Sequence, residues 1–308
     1  MTRDTLHAPP RTRDVLLEQV RAVARALRTP AIVAAVLFAI AALLTIAEFV
    51  TGGGPVDFAP ELSMVPAIAG MLFPIGVWKG EDRFGAAFLW TLPVDRRRHA
   101  LAKVGAGWVC LMAAVAVFLV FLFGLALVTS GNIAGEQMVL VLPSASVPAP
   151  RTLDPAALQS VRFTPQLLLW LVPFTSATGA YVLGSSIALG VRHPLRWAIG
   201  LVLGILLASA LGSAADMEWL KLLPARFVQF VHEGPYGLDA LFTARAETLH
   251  TVVTLSDGRT VGVWRGLPDV GQWAAATLLW IVAGLLTLWA AASRHRELRR
   301  ASRFKSGE

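Results

Sequence analysis

Most of this chain cannot ionise, so the few stretches able to do ionic or acid–base chemistry stand out. The densest runs from Lys79 to Lys103 and holds Lys79, Glu81, Asp82, Arg83, Asp95, Arg96, Arg97, Arg98, His99 and Lys103 between two long apolar runs. Guanidinium groups grip carboxylates and phosphates. A cluster of them suits an acidic protein surface or lipid headgroups, or simply holds a short loop in the cytoplasm. A smaller basic patch is formed by Arg192, His193 and Arg196.

Covalent and metal chemistry have little to work with. Cys110 is the single cysteine and lies inside an apolar run, so it forms no disulfide within the chain and reads as a small core residue. The six histidines (His7, His99, His193, His232, His250 and His295) all fall outside the apolar runs. No histidine is therefore placed to ligate a metal or activate a serine at membrane depth, which argues against an intramembrane protease. No phosphate-binding loop of the form G-x-x-x-x-G-K-[ST] occurs, and Gly52-Gly53-Gly54 lacks the following lysine. The chain is read as no enzyme, with no catalytic residue, metal or cofactor of its own.

The elements that position the charged stretch follow from hydropathy. Of 308 residues, 56% are hydrophobic and 15% charged, with mean hydropathy +0.62, against about 25% charged in a soluble domain. The expected fold is an all-α polytopic membrane protein with six transmembrane helices, at 31–50, 61–78, 105–128, 166–189, 197–211 and 273–291. Ala31–Val50 supplies the roughly 20 residues that cross ~30 Å of hydrocarbon. Before it, Leu16, Val20, Val23 and Leu27 form one apolar stripe, with Arg21, Arg25 and Arg28 on another face. Residues 1–30 are thus read as a cytoplasmic tail and an amphipathic helix lying in the membrane interface. Glu48 reads as an interfacial carboxylate. Pro66, Gly70, Pro74 and Gly76 predict a kinked second span, and Asp95 an N-cap for the third.

Two long hydrophilic excursions interrupt the spans. Residues 130–165 show no helical or strand period and are expected to be irregular. Residues 214–270 hold an amphipathic run from Met217 to Phe230, interfacial or partly re-entrant, and then two β-branched runs around Asp257-Gly258 that predict a β-hairpin over 251–264. In the fifth span Gly200 and Gly204 make a G-x-x-x-G that permits close helix packing.

Twenty of the 27 lysines and arginines fall on the side that carries both termini, the 79–103 stretch and the 190–197 loop, against seven on the other. The positive-inside rule then makes both termini cytoplasmic, including a basic tail at 293–308, and both long excursions extracytoplasmic. Trp78, Trp197, Trp273 and Trp289 near span ends read as an aromatic belt.

With that placement, Lys79–Lys103 resembles the cytoplasmic loop after the second span of an ABC-2 type transporter permease. Glu81 and Gly85 match the start of the family pattern, Leu92-Pro93-Val94 its middle, Arg96 its arginine, and Lys103 the lysine seven residues on. Ala86 and Asp95 replace the usual Thr and Ser. The resemblance implies a dimeric permease, formed with a second copy or a sister permease and driven by a separate ABC ATP-binding subunit that holds ATP and Mg. It implies a coupling helix over the loop, with Phe84, Phe88 and Leu92 as an apolar docking stripe and Glu81, Arg83, Gly85, Pro93, Arg96 and Lys103 around it. Arg192, His193 and Arg196 are a candidate second coupling loop.

The implied activity is export of a hydrophobic or amphipathic substrate from a bacterial inner membrane, with membrane lipids and no nucleic acid as further partners. A non-transport membrane scaffold or assembly component, or a secondary transporter, is the alternative.

Overall fold

The computed structural model describes residues 12–58, 64–79, 96–133, 136–141, 159–162, 166–228, 231, 236–243, 251–254, 260–264 and 270–305. Helix α1 (Thr12–Ala26) meets α2 (Arg28–Val50) at a one-residue joint, Leu27. After α3 (Val65–Val77) come α4 (Arg96–Val128), strands β1 (Glu136–Val141) and β2 (Gln159–Arg162), α5 (Gln166–Gly190) and α6 (Pro194–Ala214). Short helices α7 (Glu218–Lys221), α8 (Leu223–Val228) and α9 (Leu238–Thr243) lead to strands β3 (Thr251–Thr254) and β4 (Thr260–Trp264) and to α10 (Val270–Lys305).

Among the described residues, three helical stretches, Arg28–Val50, Arg97–Val128 and Val270–Ser293, are long and apolar enough to cross a bilayer, and the chain is an integral membrane protein. Side chains such as Leu43, Leu44, Val117, Val120, Leu278 and Leu286 stand exposed along them, where only hydrocarbon would leave them undisturbed. The remaining expected spans are helices of different character. α3 has 13 residues, about 20 Å of rise, and the apolar part of α6 is Ile199–Ala214. α5 has 25 residues, but Thr175, Ser176, Thr178, Tyr181, Ser185 and Ser186 lower its hydropathy.

α5 tolerates those polar groups because it is enclosed by its neighbours. Against α4, the Tyr181 hydroxyl donates to the Val104 carbonyl at 2.7 Å and Trp108 Nε1 donates to Thr178 at 3.1 Å. Against α10, Ser186 donates to the Gly284 carbonyl at 3.1 Å and Thr287 donates to Ser186 at 3.1 Å. Against α3 there is no room for side chains at two crossings. A Cβ on Gly184 would stand 2.6 Å from the Met71 carbonyl oxygen, and one on Gly70 would strike the Ala177 carbonyl.

These pairings fix direction. Val172, Val182 and Gly190 of α5 meet Trp273, Gly284 and Ala291 of α10 in the same order, so the two run parallel. α4 meets α5 in reverse, from Val104–Tyr181 to Phe123–Trp170. The start of α4, the ends of α3 and α5 and the Ser293 end of the apolar stretch of α10 therefore share one end of the bundle.

The opposite end is built from loops. α2 and α4 each finish on a left-handed residue, Gly52 at φ 99° and Ser130 at φ 56°, and the next amide closes the turn: Gly53 onto Glu48 at 2.8 Å and Gly131 onto Ala126 at 2.8 Å. The segment after α2 docks on the second of these turns. The Asn132 amide donates to the Asp57 carboxylate at 2.8 Å, and Phe58 is buried against Phe123 and Trp170.

The 130–165 excursion is not wholly irregular, contrary to expectation. β1 and β2 pair antiparallel, and β1 also pairs in parallel with β4 from the distant hairpin, giving the strand order β2-β1-β4-β3. The two strands of the expected 251–264 hairpin pair antiparallel, with Thr254 opposite Thr260; this register does not fit a two-residue turn at Asp257-Gly258, and residues 255–259 lie outside the described residues. The 217–230 run becomes two short helices that pack on α6, with Trp219, Leu222 and Phe227 exposed. The segment that reaches inward is instead 236–243. Leu241 is fully buried at Gly179, and Trp280 Nε1 donates to the Tyr236 carbonyl at 2.8 Å, about 15 Å along α10 from its first residue.

The stripe on α1 also has a partner inside the chain. Val23 is buried and Val20 and Leu27 pack on the same cluster with Ala100 and Val104, so the stripe covers α4. Of the four tryptophans expected in a belt, Trp197 and Trp289 are exposed, but Trp78 and Trp273 are buried.

Gly70→Val should weaken the α3–α5 crossing by roughly 1–3 kcal/mol, since overpacking there meets backbone, not a movable side chain. Gly200→Val, at a position with open space around it, should leave thermal unfolding in detergent unchanged; equal losses from the two would contradict the crossing described.

Candidate functional site

The charged stretch leaves the bundle at the end of α3 and returns at the start of α4. Its middle, including Glu81, Arg83, Phe84, Gly85, Phe88, Leu92 and Pro93, and also Asp95, lies outside the described residues. What the structure does place is both anchors.

At the first anchor α3 stops at Trp78, whose amide donates to the Pro74 carbonyl at 3.0 Å. The Trp78 ring is buried, and the Lys103 ammonium stands 4.9 Å from its centroid. Lys103 is itself only 7% exposed. A lysine that deep needs compensation for lost hydration, and the ring's negative face supplies part of it. The side chain faces inward, toward the end of α3.

The second anchor ties α4 to α10. The Arg97 guanidinium lies 5.0 Å from the Trp289 ring centroid. Arg98 is exposed beside it, and Lys79 is exposed on the α3 side. Arg96 opens α4. Two cation–ring contacts thus hold the first two turns of α4 between the end of α3 and the lower part of α10, so a force applied to the loop would reach both.

The second basic patch lies at the same end by chain direction. Arg192, His193 and Arg196 are all exposed, His193 standing just before α6 and Pro194 occupying its first turn. No contact between this patch and the first is seen among the described residues. Among the described residues, Gly200 and Gly204 have no atom within 4 Å of an added Cβ. Glu48 is exposed near the end of α2.

One feature escaped the sequence reading. Between α2, α3 and α4 lies an apolar cleft of about 750 Å³. Ala31, Ala34 and Phe38 form one wall, Ala69 and Phe73 another, and Cys110 and Ala114 part of the floor. Alanine recurring on facing helices was the available signal, since small side chains leave space wherever no partner fills it. Cys110 is half-buried at this cleft and not packed in the centre of the core. Among the described residues, no group of three His, Cys, Asp or Glu could hold a metal ion.

The chain matches no family model, no curated protein and no solved structure.

If the Lys103–Trp78 contact carries energy, Lys103→Met and Trp78→Leu should be non-additive. A double-mutant cycle read by unfolding in detergent should give a coupling of about 0.5–2 kcal/mol; additive losses would reduce the pair to coincidence.

Proposed function

We propose that this chain is the membrane-spanning subunit of an ABC-2 type transporter. It exports a hydrophobic or amphipathic substrate with energy from a separate ATP-binding subunit docked on residues 81–103. The observation that carries the reading is the order Glu81, Gly85, Leu92-Pro93-Val94, Arg96 and Lys103, running from the segment between α3 and α4 into the first turns of α4. On this reading six helices span the bilayer, α3 and α6 among them, the short α3 completed by flanking residues, and both termini face the cytoplasm of a bacterial cell.

Three structural features support it. The start of α4, the ends of α3 and α5 and the Ser293 end of the apolar part of α10 share one end, so the 79–103, 190–197 and C-terminal basic segments all begin there. The positive-inside rule assigns such an end to the cytoplasm. The loop's return point is pinned to two other helices through Arg97 and Lys103, which is what a loop that transmits motion needs. Finally, α2 and α6 have apolar faces with little cover from the rest of the chain, as surfaces for lipid or a second permease would.

A secondary transporter is the second reading. What favours it is the row of buried hydroxyls at Ser176, Ser185, Ser186 and Thr277, since polar groups at membrane depth often line a solute path.

Affinity purification of the chain in mild detergent separates the two. A soluble subunit with a phosphate-binding loop should copurify with the wild type and be lost with Phe88→Asp, which places a charge in the docking stripe. Copurification with both proteins would keep the transporter class and discard Phe88 as a contact. Absence of any such subunit in several detergents would favour the secondary transporter or a scaffold.

A further inference from the structure

The joint between α1 and α2 carries a feature that the transport reading does not use. Arg25 and Arg28 are exposed on one face of the helix at the joint, and no ion pair to either is found among the described residues. They line a shallow surface hollow together with Ala24 and Ala31. Ala24 and Ala31 also line the apolar cleft between α2, α3 and α4. The hollow and the cleft therefore adjoin along these two alanines, one cationic at its rim and the other without a charged residue among the described residues of its lining.

The cleft has a definite depth. It begins at Leu27 and Gly76 and narrows where Phe38 stacks on Phe121, centroids 5.1 Å apart, and leans on Phe118 at 5.7 Å. From Arg28 to Phe38 is about 15 Å of helical rise. That matches about half of the ~30 Å hydrocarbon core, the reach of one acyl chain within one leaflet. A water-filled space of this composition is unfavourable, and a side chain long enough to fill it is missing from the facing positions Ala34, Ala69, Ala113 and Ala114.

We propose that the adjoining hollow and cleft form a specific site for one anionic phospholipid, with its phosphate between Arg25 and Arg28 and one acyl chain lying in the cleft as far as Phe38. The occupant is anionic because the rim offers two guanidinium groups and, among the described residues, no carboxylate lines hollow or cleft. It is a lipid and not a free phosphate because the hollow is shallow and most of the enclosed volume is apolar. The proposal is independent of the ATPase-docking reading and would stand if that reading failed.

The test uses the full chain, delipidated in detergent and titrated with dipalmitoyl phosphatidylglycerol or dipalmitoyl phosphatidylcholine while bound lipids are counted by native mass spectrometry. The wild type should retain one phosphatidylglycerol about tenfold or more tighter than phosphatidylcholine, given two nearby cationic groups. Arg25→Gln with Arg28→Gln should erase that preference. Ala34→Trp, which fills the cleft, should lower retention of both lipids. Ala114→Leu is the milder filler should the tryptophan variant aggregate, and Leu44→Trp, at an exposed position outside the cleft, should change neither. Equal retention of the two lipids by the wild type, or a preference that survives the double arginine substitution, would overturn the site. Displacement of phosphatidylglycerol by 10 mM inorganic phosphate (about the strongest competitor lacking an acyl chain) would show an anion pocket and overturn the lipid assignment.

Discussion

The Tyr181 hydroxyl of α5 finds its acceptor on another helix, so α5 can lie in an apolar bundle only if its neighbours come close to it. α5 meets that condition because α3 approaches it backbone to backbone at Gly70 and Gly184. With that contact made, α4 and α10 can close on its other sides and offer carbonyls to Tyr181 and Ser186. Hydrocarbon provides no hydrogen bonds; Thr175, Ser176 and Ser186 reach carbonyls of their own helix, while Tyr181 depends on the Val104 carbonyl of α4. Association of helices within lipid also lacks a hydrophobic drive, and close packing of small residues takes its place.

The long apolar helices were legible because hydropathy is a local property. Ala31–Val50 and 273–291 fall inside helices of the structure with small boundary errors, and the pairing of β3 with β4 was legible from their β-branched runs. The pairing of β1 with β2 and β4 was not, since Glu136–Val141 gains its strand partners from residues far along the chain. The inward reach of 236–243 was hidden for the same reason: Leu241 is an ordinary leucine until Gly179 leaves it a place. At the charged stretch the sequence indicated which residues stand out but not where they face. Lys103 looked like one more loop cation, and its position over Trp78 depends on how α3 ends.

The two anchors of α4 give that stretch a mechanical character. An exposed charge pair would yield under load and exchange with water. A buried ammonium over an indole is confined by the ring and by the cost of returning unpaired to an apolar site. The start of α4 is therefore held to α3 by a buried contact and to α10 by the contact of Arg97 with the exposed Trp289, whereas α2 meets α4 through Phe38 and α6 packs on its own short helices.

The parallel pairing of β1 with β4 has a consequence in time. Val139 is paired with Gly262, so β4 is made long after β1 has left the ribosome. Until then β1 and β2 form a two-stranded ribbon, marginal in water, with an open edge along β1 that invites foreign strands. The four-stranded sheet can close only once β4 has been made, after the residues of α5 and α6. A copy interrupted before Thr260 would keep the edge of β1 that β4 otherwise covers.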